Sequence, residues 1–108
     1  LTINIIFQNR SKGVGLISRE TAIAYGVTGP SGRGSGWSCD IRKIVPYSAY
    51  DKVQFNEILE TDDDTFARYK VRVREMWESM NILEQLVDNI PEGDYTAKMK
   101  PIIKLPVG

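Results

Sequence analysis

The longest regular pattern in the sequence lies in residues 64–90 and predicts one long helix. Apolar side chains recur there at alternating steps of three and four residues: Phe66, Tyr69, Val73, Met76, Met80, Leu83, Val87 and Ile90. This spacing puts them on a single face of an α-helix. At 1.5 Å per residue the helix is about 40 Å long, and a 108-residue chain has little with which to cover it. We expect this stripe to be the main packing face, and part of it to meet protein outside the chain.

Acidic residues mark the start of this helix, and a proline and a glycine mark its end. Three aspartates at 62–64 stand where the helix dipole favours negative charge. The sequence Pro-Glu-Gly at 91–93 ends the helix. Glu57 and Glu60 extend the acidic cluster upstream, but the spacing lacks the glycine and the glutamate that a calcium-binding loop requires. We interpret the cluster as helix capping.

The remainder of the chain predicts short helices separated by irregular loops. Ser18 can cap a helix that ends at Gly26, and brief helical turns are expected near 40–43 and 48–51. The apolar alternation from Leu1 to Phe7 has period two and, taken alone, favours a strand. The predicted fold class is mainly α, with irregular glycine- and proline-rich loops and room for one or two short strands.

A glycine-rich segment runs from Thr28 to Gly36 and holds four glycines in nine residues, too many for a regular helix or strand. It fails both tests for phosphate binding. Ser35 stands where a Walker loop needs lysine, and Trp37 stands where a dinucleotide fingerprint needs its last glycine. We therefore interpret it as a structural loop. Arg33 is expected to anchor it by binding loop carbonyls or a carboxylate such as Asp40.

Composition removes several classes of function. The 14 basic and 14 acidic residues balance, so the chain has no global attraction for nucleic acid or for anionic membranes. There is no histidine and only one cysteine, which excludes Ser-His and Cys-His catalysis, histidine zinc sites and an internal disulfide within these residues. No apolar run is long enough to cross a membrane. Cys39 is expected to be a small buried core residue.

Four basic residues form a band on the first half of the predicted helix: Arg68, Lys70, Arg72 and Arg74. A solvated face on which Arg74 pairs with Glu78 is the first interpretation. An interface with an acidic partner subunit is the second. Nucleic-acid binding is a third, and the zero net charge disfavours it.

Several short motifs follow one another in a fixed order from Asn9 to Gly93. The first half carries Asn9-Arg10, Ser18-x-Glu20-x-Ala22, Tyr25-Gly26, Thr28-Gly29 and Arg33-Gly34-Ser35-Gly36. The second half carries Asp40-x-Arg42-Lys43, Pro46-Tyr47-x-x-Tyr50-Asp51-x-Val53-x-Phe55, then Asp64, Arg68, Tyr69, Arg72, Glu75 and Met76 on the helix, and Ile90-Pro91-Glu92-Gly93. In this order they resemble the hydrogenase-like D subunit of respiratory complex I (NADH–quinone oxidoreductase).

The resemblance implies that the chain is a middle fragment of a larger α+β fold of the hydrogenase large-subunit type, as a first residue other than Met also suggests. It places residues 1–93 in the hydrogenase-like domain of that D subunit and leaves 94–108 as a linker or edge segment. It implies a helix rather than a strand for Leu1–Arg10, and we follow it there. Cys39, Ala67 and the segment 56–63 depart from the family pattern, which affects expectations for local loop geometry.

In function, the resemblance implies a part in passing electrons from NADH, through FMN and iron–sulfur clusters, to quinone. No position matches the family's catalytic, quinone-binding or metal-binding residues, so the segment itself is expected to hold no cofactor and to be inactive alone. It is expected to be scaffold that contacts other complex I subunits, peripheral on the cytoplasmic face of a bacterial inner membrane. The candidate structural or interface residues are Arg33, Asp40, Arg42, Asp51, Arg68 and Arg72.

Two other hypotheses remain open. The chain could belong to a related membrane-bound hydrogenase or dehydrogenase complex, or it could be a non-enzymatic helical interaction module whose resemblance is accidental. We also expect the isolated chain to self-associate through the apolar stripe of the long helix. Met80 lies near the middle of that stripe, and Met80→Glu should disrupt the association or the fold.

Overall fold

The computed structural model describes residues 4–96 and Lys98, and the regular elements of these residues are all helices. Within those residues there are five helices: α1 Ile5–Ser11, α2 Arg19–Ala24, α3 Gly29–Arg33, α4 Ile41–Ile44 and α5 Thr65–Val87. The described residues contain no strand, so the mainly α fold class is confirmed. Most of the proposed linker or edge segment 94–108 lies outside the described residues.

Helix α2 forms where the sequence predicts side-chain capping, and α4 forms where a brief helical turn is expected. Ser18 accepts a hydrogen bond from the Thr21 amide at 3.2 Å, and Gly26 follows α2 with the positive φ of +64° that an L side chain rarely adopts. Asp40 caps α4 by accepting from the Arg42 amide at 3.0 Å. The turn expected at 48–51 is present as well.

Helix α1 corrects the strand that the alternation from Leu1 to Phe7 favours. Residues from Ile5 onward are helical, and Asn4 caps the helix by accepting from the Phe7 amide at 3.0 Å. Leu1 to Ile3 lie outside the described residues. The Phe7 ring packs edge-on against Tyr69 of α5, with the ring centroids 4.8 Å apart. This aromatic contact attaches α1 to α5, and the helix implied by the family resemblance is the correct interpretation.

Helix α3 corrects the expectation that the glycine-rich segment cannot be helical. Residues Gly29–Arg33 form one helix with Pro30 in its first turn, a position that proline favours. The helix packs against α2 and α5. A Cβ on Gly32 would lie 2.3 Å from the carbonyl oxygen of Val27, and one on Gly34 would lie 2.9 Å from Cγ of Arg68. Tertiary packing overrides the low helix propensity here, and glycine permits the close approach.

Helix α5 has apolar side chains on two opposite faces. One face, with Ala67, Val71 and Ile82, is buried against the chain. Met80 is nine residues beyond Val71, so at about 100° per residue it points to the opposite side. The predicted stripe follows that second side from Met76 onward, where five of its members are at least 52% exposed: Met76, Met80, Leu83, Val87 and Ile90. Within this chain the buried face is the one with Val71, because periodicity cannot tell which of two apolar faces the chain itself covers. The open part of the stripe agrees with the expectation that the chain does not cover all of it, and its role as the main packing face stays a prediction.

The core of the described residues is small. Its buried apolar side chains are Ala22, Phe55, Phe66, Ala67, Val71 and Ile82. Polar contacts therefore hold much of the fold together. They concentrate at the N-terminal end of α5, where the loop that precedes α2 meets the loop that precedes α5. None of the helices in the described part of the chain combines the length and the hydropathy needed to span a bilayer.

Candidate functional site

A polar junction forms where the 13–17 loop crosses the N-terminal end of α5. Asp64, which is 5% exposed, divides its carboxylate between two donors. Its Oδ1 accepts from the Ala67 amide at 2.7 Å, which caps α5, and its Oδ2 accepts from the Gly13 amide at 2.8 Å. Thr65 adds a bond from its amide to the Val14 carbonyl at 2.9 Å. One aspartate thus both starts the long helix and fixes a loop 51 residues upstream.

Arg68 completes this junction from the second turn of α5. Its Nη2 donates to the Gly15 carbonyl at 2.8 Å and to Thr65 Oγ1 at 2.9 Å, and its Nη1 donates to the Asp63 carbonyl at 3.2 Å. The same side chain packs against Gly34 at the end of α3. Asp63 holds a positive φ of 60°, and these contacts keep that turn in place. Arg68 therefore connects the two loops by hydrogen bonds, since its planar guanidinium can donate to several carbonyls at once.

Arg33 is buried, at 9% exposure, and its partner is Glu75 rather than Asp40. Its Nη2 forms an ion pair with Oε1 of Glu75 on α5. Its backbone carbonyl accepts from the Glu60 amide at 3.0 Å, so the residue joins α3 to both α5 and the loop before it. The expectation of a structural anchor fits this placement, and the choice of Asp40 as the carboxylate is corrected. The glycines around Arg33 let α3 approach α5 closely enough for the pair to form.

Asp40 pairs with Arg42 instead. Oδ2 of Asp40 lies 2.5 Å from Nη2 of Arg42, and Oδ1 accepts from Arg42 Nε at 2.9 Å. The hydrogen bonds from Arg42 hold the pKa of the Asp40 carboxyl below its usual range, although burial of the carboxyl opposes the shift. The Arg42 guanidinium also lies over the Phe55 ring, 4.8 Å from its centroid. The pair therefore secures α4 against the aromatic side chains that follow it.

Glu60 and its neighbours correct the expected pairing of Arg74 with Glu78. Glu60 accepts from Lys70 at 2.6 Å and from Arg74 at 2.5 Å, so Arg74 does not pair with Glu78. Glu78 instead accepts from the Asn56 amide at 2.9 Å. These contacts fold the 56–63 segment along α5. The basic band is thus partly neutralised within the chain, because Lys70 and Arg74 pair with Glu60, while Arg72 is exposed.

The remaining acidic and candidate residues have separate roles. Glu57 accepts from the Ser38 hydroxyl at 2.5 Å and from the Cys39 amide at 2.9 Å, so of the acidic cluster it is Asp64 that caps α5. Cys39 is half-buried rather than a core residue. Asp51 and Arg72 are exposed, and the structure does not bring them into the polar junction. Their assignment as structural or interface residues stays a prediction.

Sequence reasoning does not identify Glu75 and Glu60 as the partners of Arg33, Lys70 and Arg74. Glu75 stands in the family motif, but nothing in its spacing connects it with residue 33. The pairing depends on how α3 crosses α5, which is a tertiary property. For Glu60, the sequence does place an acidic cluster next to a basic band. That pattern is equally typical of helix capping, so it does not identify the ion pairs.

The residues present do not fit a redox cofactor. Across the described residues no three histidine, cysteine or acidic side chains converge in a way that could hold a metal ion, and the whole chain offers one cysteine and no histidine. An iron–sulfur cluster is held by four ligands of those types. A cleft of about 520 Å³ opens beside Arg33, Asp40, Arg42 and Glu75, but its four charges are already matched in pairs. No electron-transfer step is assigned to these side chains.

Together these features define a class: a helical segment whose charged side chains fasten its own loops to one long helix. Comparison with known proteins gives the particular family. Residues 1–107 match the family model described as respiratory-chain NADH dehydrogenase, 49 Kd subunit. The chain belongs to that family, which confirms the resemblance seen in its motifs and rules out an accidental one.

Named relatives agree with this assignment. The chain is 62% identical to the C/D subunit of NADH-quinone oxidoreductase from Bacteroides thetaiotaomicron, over 99% of its length and 20% of that protein. It is 61% identical to the corresponding C/D subunit from Phocaeicola vulgatus, covering 99% of this chain and 21% of the relative. It is 46% identical to the D subunit of NADH-quinone oxidoreductase from Clostridium beijerinckii, covering 100% of this chain and 29% of the relative. The chain thus spans between a fifth and a third of the length of these relatives.

Proposed function

We propose that this chain is a structural segment of an NADH–quinone oxidoreductase subunit, in a complex that passes electrons from NADH through FMN and iron–sulfur clusters to quinone. The segment holds none of these groups. It serves as a framework that supports the walls of the quinone site and contacts neighbouring subunits, on the cytoplasmic face of a bacterial inner membrane. The names of the relatives favour this complex over a related hydrogenase or dehydrogenase.

The observation that carries the proposal is the polar junction at the start of α5. Asp64, Arg68 and Arg33 are engaged in internal hydrogen bonds and ion pairs. Asp64 and Arg33 are buried, and the partners of all three side chains lie in the chain's own loops and in α5. These side chains therefore hold the loops in register rather than face a substrate. A scaffold role therefore matches the contacts of these side chains. The family assignment indicates the complex in which the scaffold acts.

If the segment is a scaffold, a variant that weakens it should lower the amount of assembled complex but not the turnover of each assembled complex. Asp64→Ala, introduced into the full subunit of a bacterium that makes the complex, removes the cap of α5 and leaves the Gly13 amide without its partner. A destabilisation of about 2 kcal/mol is expected, and a loss of that size lowers abundance several-fold. Assembled complex, measured on native gels, should fall by that factor, while NADH–quinone turnover per assembled complex stays unchanged.

Asp94→Ala is the matched control, because Asp94 is exposed and the same carboxylate is removed. It should leave both the amount of complex and its turnover at the wild-type level. If Asp64→Ala instead gave normal amounts of complex with greatly reduced turnover, the residue would have a part in the reaction, and the proposed scaffold role would be wrong.

A second expectation concerns the isolated chain, which should carry no redox group. One cysteine and no histidine are too few ligands for a cluster or a haem. Purified protein should contain far less than one iron per chain, and its visible spectrum should show no absorbance bands beyond scattering. Stoichiometric iron with charge-transfer bands in the visible spectrum would contradict this.

A further inference from the structure

We draw no further inference here: the strongest candidate, the charged cleft between α3, α4 and α5 that is lined by Arg33, Asp40, Arg42 and Glu75, carries nothing, because its charges are matched in pairs within the chain and nothing in the structure shows what covers it.

Discussion

Gly32→Ala is expected to destabilise the chain by about 3 kcal/mol or more, although alanine is the better helix former. The added Cβ would lie 2.3 Å from the Val27 carbonyl oxygen and 3.1 Å from Cε3 of Trp37. Val27 cannot withdraw easily, because its amide donates to the Ala22 carbonyl at 2.8 Å. Helix α3 must therefore shift, and the shift weakens its contacts with α5.

Urea denaturation followed by far-ultraviolet circular dichroism measures this effect. Ser31→Ala is the matched control, because it changes the neighbouring residue of the same helix without adding an atom at the α2–α3 contact. It should unfold close to the wild-type midpoint, and Gly32→Ala should unfold at a much lower urea concentration or be unfolded in buffer. Coincident transitions for Gly32→Ala and wild type would show that α3 can move away from Val27 at little cost.

Arg33→Met is expected to have the second large effect, a loss of about 3–5 kcal/mol. The substitution keeps an apolar stem but removes the guanidinium that pairs with Glu75. Glu75 then remains as a largely buried carboxylate without its cation, and that desolvated charge is the main source of the loss. Arg33→Lys should be destabilised less, because it keeps a charge but cannot reproduce the planar fork.

A double-mutant cycle separates the loss of the ion pair from the loss of packing. Arg33→Met combined with Glu75→Met removes both charges, and apolar replacement of a buried pair is often close to neutral. The double variant should therefore recover most of the stability lost in Arg33→Met, as measured by urea denaturation. If the double variant is as unstable as the single one, packing rather than the ion pair is what Arg33 contributes.

Local signals in the sequence are sufficient for the helix ends. Ser18 and Asp64 are identifiable as capping residues because a cap needs only a short polar side chain and amides two or three residues away. The long helix is predicted within a few residues of its true ends, since its apolar period extends over about six turns. The family motifs are equally local, and the match over residues 1–107 confirms them.

The pairing of distant charges cannot be predicted in the same way. The sequence identifies Arg33 as an anchor, but it suggests the nearby Asp40 as the carboxylate rather than Glu75, which α5 brings to it. It likewise suggests Glu78 on the same helix for Arg74, which instead contacts Glu60. In each case the nearer partner is favoured because sequence distance is the available guide.

By itself the sequence determined the helical class, the long helix with its caps, the absence of histidine and cysteine ligand sets, and membership of the family. Those properties depend on which residues are present or on apolar repeats of three and four residues, and both can be read directly from the sequence. Only the tertiary structure decided that the glycine-rich segment is partly helical, that Asp64 and Arg68 fasten the 13–17 loop, and that α5 is covered on the side of Val71 and open on the side of Met80. An apolar period determines which side chains share a face, but which face is buried depends on what else the chain can pack against it.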